Sequence, residues 1–65
     1  MMKKPNNEFS GNLDFRMGDD VVDTHDCSGR ISARQHAKHL VGMYGKTIEI
    51  YSEDGTFLDE VENQW

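Results

Sequence analysis

The chain has 65 residues with 12 Asp plus Glu against 7 Lys plus Arg, a formal net charge of −5, and 35% apolar residues. A domain of this length buries only about 60% of the surface its unfolded chain exposes, which points away from a self-contained enzyme with a core and a deep substrate pocket; the acidic balance also disfavours general nucleic-acid affinity, which rests on neutralising phosphates. The single cysteine, Cys27, rules out an intramolecular disulfide framework and points to a reducing, cytoplasmic setting; with no apolar run long enough, neither a signal peptide nor a membrane span is expected.

Residues 1–10, with Pro5, Asn6 and Asn7, read as a flexible N-terminal arm whose end Phe9 tacks onto the core, and residues 11–65 as a single small α+β domain. In LDFRM, Leu13, Phe15 and Met17 alternate with Asp14 and Arg16, the pattern of a half-buried strand. GDD then reads as a turn, and Val21 to His25 as a second strand hairpinned on the first or as an irregular segment.

A helix follows. Ser32 with Gln35 three residues later fits a capping box, and Ala33, Ala37, Leu40, Val41 and Tyr44 fall on one apolar arc. Gly45 is placed for a left-handed C-cap, while Gly42 lies on the solvent side.

The last pattern, KTIEIYSEDGTFLDEV, is two alternating segments about Asp54-Gly55, a pair suited to a two-residue type I′ turn. That turn sets Tyr51 opposite Leu58, Ile50 opposite Asp59, Glu49 opposite Glu60 and Ile48 opposite Val61. Ile48, Ile50, Phe57 and Val61 then form the floor under the helix, with Asp59 as a misfit, and Glu49, Tyr51, Glu53, Leu58, Glu60 and Glu62 face water. A one-residue slip would bury glutamates, so the register is well specified. The fold expected is α+β: a small antiparallel sheet of three to four strands, β-β-α-β-β or βαββ, with one amphipathic helix packed on one face.

Two surfaces of opposite sign result. Arg30 to Lys46 holds four formally positive residues, two histidines and no carboxylate, so the outer helix surface is positive and the outer hairpin face negative. The acidic face, Glu49, Tyr51, Glu53, Leu58, Glu60 and Glu62 with Trp65 as a further anchor, has the aromatic and aliphatic centre and charged rim of a protein interface. It is as well explained by internal cover from a terminus. The basic face, Arg34, Lys38 and Lys46, is the alternative nucleic-acid-binding surface or simply a solvated helix back.

His25, Cys27, His36 and His39 form a weak zinc candidate, because H-x-C and H-x2-H pairs offer ligand types without the usual knuckle spacing; the assignment made is no metal and no cofactor. Asp19, Asp20, Asp23 and Asp26 lack the glycine and closing glutamate of an EF-hand loop. No serine elbow, phosphate-cradling glycine loop or dinucleotide fingerprint is present. The expectation is a non-enzymatic adaptor or inhibitor that occludes a basic site on another protein, of a kind seen in mobile-element or phage proteins. The alternatives are a small nucleic-acid-contacting regulator and a structural subunit completed by homodimerisation.

Overall fold

The computed structural model describes residues 9–63. Five elements follow one another: β1 (Ser10–Met17), β2 (Asp20–Ser28), α1 (Arg30–Tyr44), β3 (Ile48–Tyr51) and β4 (Phe57–Val61). The strands form one antiparallel sheet in the order β2-β1-β3-β4, and α1 lies across one face, giving the β-β-α-β-β arrangement. Among the described residues no helix is long and apolar enough to cross a membrane.

The alternation in β1 does what its pattern requires. Leu13 and Phe15 are buried under the helix and Met17 packs at the edge of the same cluster, as does Phe9 just ahead of the strand. Gly18 has a φ of 66° in the two-residue connection to β2, a position where only glycine is unstrained. β2 runs past His25 to Ser28, longer than its weak alternation suggests, and a register shift lets Phe15 pair with Asp23 and Arg16 with Val21.

The helix begins two residues before the expected capping box. Its N-cap is Gly29 in extended backbone with no side-chain cap, and Ala33 N–H donates to Gly29 O at 3.0 Å. Ser32 falls inside the first turn and makes no capping hydrogen bond. Ala33, Ala37, Leu40 and Val41 are buried as the arc predicts. Tyr44 departs from it at 42% exposure, because it is the last helical residue and Gly45 turns the chain away in the left-handed conformation, with its N–H donating to Val41 O.

The final hairpin corrects one face assignment. Gly55 N–H donates to Ser52 O at 2.9 Å and Ser52 N–H to Thr56 O at 2.8 Å, so the loop is Glu53, Asp54 and Gly55 rather than two residues. A type I′ turn needs positive φ at both central residues, and only Gly55, at 93°, takes it. Asp54 instead accepts hydrogen bonds from the Ser52 hydroxyl, from Thr56 N–H at 3.1 Å and from the Thr56 hydroxyl at 2.8 Å.

The longer loop moves the pairing by one, setting Tyr51 opposite Phe57, and a bulge at Leu58 restores it. Ile50 therefore faces Asp59, Glu49 faces Glu60 and Ile48 faces Val61, the register expected from the sequence. Phe57 turns outward at 51% exposure, whereas Leu58 turns in and packs against the core.

The two helix glycines have opposite roles. A Cβ on Gly42 meets open space in an ordinary helical backbone, while Gly45 holds a φ of 70°. Gly42→Ala should raise the unfolding free energy by about 1 kcal/mol and Gly45→Ala should lower it by a similar amount, as read from urea midpoints at unchanged slope.

Candidate protein-binding face

With Leu13 and Phe15 directed into the core, Asn12, Asp14 and Arg16 of β1 point to the side of the sheet away from the helix. Register carries that face across the strands: Thr24 and Tyr51 flank Asp14, Val21 and Glu49 flank Arg16, Asp26 pairs with Asn12, Phe57 with Tyr51, and Glu60 with Glu49. Four carboxylates, Asp14, Asp26, Glu49 and Glu60, thus share this face with one cation and an aromatic pair whose Phe57 stands on the edge strand.

The centre is tied together. Tyr51 and Phe57 meet edge to face with centroids 5.5 Å apart, and the Arg16 guanidinium lies 4.1 Å above the Tyr51 ring. Arg16 also reaches Asp14 at 3.9 Å, and the Tyr51 hydroxyl donates to Glu49 Oε1 at 3.4 Å. Placed over the ring, Arg16 has its Nε shielded from solvent without a hydrogen-bond partner among the described residues. Glu49 and Glu60 face each other directly, a like-charge pair that disfavours the sheet.

Of the residues expected on this face, Glu49, Tyr51 and Glu60 occupy it. Glu53 is in the turn and Glu62 follows β4, both exposed. Leu58 is replaced at the centre by Phe57, and Trp65 lies outside the described residues. Arg16 and Asp14 carry no site signature in the sequence. Alternation in LDFRM assigns them to a polar face, but only the pairing of β1 with β3 brings them to Tyr51.

The basic helix stretch is partly engaged internally. Arg34 Nη1 donates to Asp59 Oδ2 at 2.7 Å, and Arg30 stands 3.7 Å from the same oxygen. Asp59, the misfit on the inner hairpin face, is the anchor for these arginines. Burial alone would raise its carboxyl, but the Glu60 N–H, the Arg34 hydrogen bond and the charges of Arg34 and Arg30 outweigh it and hold the carboxyl below the ordinary aspartate value. Lys38 lines a shallow groove of about 460 Å³ with Arg34 and Glu62, and Lys46 is exposed beyond the C-cap.

The zinc candidates do meet, in another arrangement. His36 Nε2 is 2.6 Å from Asp23 Oδ2, and its ring stacks on His25 with centroids 4.0 Å apart, while His39 is offset by 6.3 Å. The hydrogen bond to His36 lowers the Asp23 carboxyl. Cys27 is buried with its thiol directed to the His25 carbonyl at 3.6 Å, and that burial raises its pKa, which favours the neutral thiol over a thiolate ligand or nucleophile. Among the described residues no group of three or more His, Cys, Asp or Glu is disposed to hold a metal ion. Comparison with protein-family models, curated proteins and solved structures returns no match.

Both lowered carboxyls set the sign of an acid dependence. Their stabilisation is complete above the unfolded aspartate value of about 3.9 and is lost as pH falls through the lower folded values. Asp59→Asn should lower the unfolding free energy by about 1 kcal/mol at neutral pH after allowance for solvent screening. In denaturant titrations across pH, the gap to the parent protein should close in strong acid.

Proposed function

We propose that the protein is a non-enzymatic adaptor or inhibitor that binds a basic surface of another protein through the outer face of its sheet and acts by covering that surface. The observation that carries this reading is the half-exposed Phe57 ring held against Tyr51, on a face that also carries four carboxylates. An aromatic anchor at the centre supplies short-range affinity, and the carboxylates accelerate encounter with a cationic partner.

The charge distribution selects among occupants. A two-fold dimer through this face would set the acidic border against itself, which disfavours a second copy. Glu49 and Glu60 retained in direct opposition fit a surface whose negative potential serves a partner more than the sheet. The nucleic-acid alternative is weakened by the engagement of Arg34 with Asp59.

The test is affinity purification of the tagged chain from its native cell with mass spectrometry, run in parallel on Phe57→Ala and Glu49→Lys. A basic protein should be captured by the parent chain, weakened about tenfold by Phe57→Ala, and made less salt-sensitive by Glu49→Lys. Glu49→Lys relieves the opposition to Glu60 but sets a lysine opposite Arg16, so it should leave thermal stability near that of the parent chain while it lowers binding. Capture unaffected by either change, with both variants folded, would contradict the proposal.

A further inference from the structure

β1 is paired with β2 along its whole length, from Ser10 to Met17, but with β3 only from Asp14 to Arg16. Beyond Tyr51 the chain enters the Ser52–Thr56 turn, so on that side no described strand pairs with Ser10–Leu13. The two together enclose a slot of about 420 Å³, with Leu13 and Leu58 among its lining residues and Asn12, Glu53, Asp54 and Thr56 contributing polar groups. A strand edge offers backbone N–H and C=O groups to any extended chain that fits beside it. Gly11, in this stretch, holds a φ of 93°, outside regular extended backbone, and a Cβ built there meets nothing within 4 Å, so the edge is open at this residue.

Resting on the reading of the protein as a binder of basic partners, we propose that the partner contributes an extended segment that adds a strand to β1 along Ser10–Leu13, in line with β3. Its side chains alternate. One row lies towards Leu58 and is aliphatic, while the other row lies beside Asn12 and the turn carboxylates Glu53 and Asp54 and is cationic. The occupant is therefore a β-strand of alternating basic and aliphatic residues. Main-chain bonds supply the affinity and the acidic turn selects for charge.

The experiment uses the full chain labelled with nitrogen-15 and an acetylated peptide of alternating lysine and valine. Amide shifts and slowed exchange should appear at Gly11 to Leu13 and at Thr56 to Leu58. Glu53→Lys should weaken the peptide about fivefold, and N-methylation of alternate peptide amides, which keeps every charge, should abolish the slowed exchange. If the N-methylated peptide binds equally well and perturbs only Arg16, Tyr51 and Phe57, the slot is overturned while the outer-face reading stands. If the slot amides are already protected without peptide, the edge is occupied by the chain itself and the proposal fails. No perturbation anywhere at millimolar peptide would overturn the slot, and the outer-face reading would then rest on the purification test alone.

Discussion

The close seating of α1 on the sheet is the constraint from which the other features follow. Ala33 and Ala37 are fully buried, and their small side chains let the helix backbone approach a floor made of Leu13, Phe15, Ile48 and Ile50, each at most 1% exposed. Burial of each large floor residue is worth about 1.5–3 kcal/mol, against about 0–1 kcal/mol for an exposed ion pair. The seam therefore sets which way each strand faces, and the charges adapt to it. Once Phe15 and Ile50 are committed to the helix, Arg16, Glu49 and Tyr51 have no other place than the opposite side.

Within that frame, a small irregularity decides the character of the open face. A three-residue loop at Glu53–Gly55 displaces the pairing, and the bulge at Leu58 returns it, so that Phe57 is released to the surface beside Tyr51. The same bulge places Leu58 and Asp59 successively on the helix side. Leu58 extends the core, and Asp59 receives Arg34 and Arg30. One inserted residue thus creates the exposed aromatic pair, while Asp59 keeps the inner-face place opposite Ile50 from which it restrains the basic helix face. The exposed aromatic pair comes from that backbone feature, and the partial neutralisation of the helix face from the register that follows it.

Much of this architecture is legible in the residues. The alternation of LDFRM, the arc Ala33, Ala37, Leu40 and Val41, the C-cap at Gly45 and the pairing of Ile48 with Val61 all rest on short-range periodicity, which neighbouring residues suffice to define. The helix start is different: Ser32-x-x-Gln35 has the form of a cap, but the chain leaves β2 at Ser28 and must fold onto the sheet at once. Similarly, Asp54-Gly55 favours a tight turn in general, while the hydrogen bonds of Ser52 and Thr56 to Asp54 favour the longer loop here. The cluster of Asp14, Arg16 and Tyr51 depends on β1 lying beside β3, a non-local pairing with no signature in either segment. His25 and His36 group by residue type alone, yet their ring stacking and the contact of Asp23 with His36 need the helix placed over β2.

The bulged hairpin and the helix seam together make one side of the sheet a committed core and leave the other as a surface with an anchor and a negative border. Nuclear Overhauser contacts of the Phe57 ring probe this division most directly. The account predicts contacts from Phe57 to the Tyr51 ring and from the Leu58 methyls to the buried cluster, with none from Phe57 to Leu40 or Val41. Phe57 contacts to those helix residues, with the Leu58 methyls in solvent, would show an unbulged hairpin and contradict the docking face.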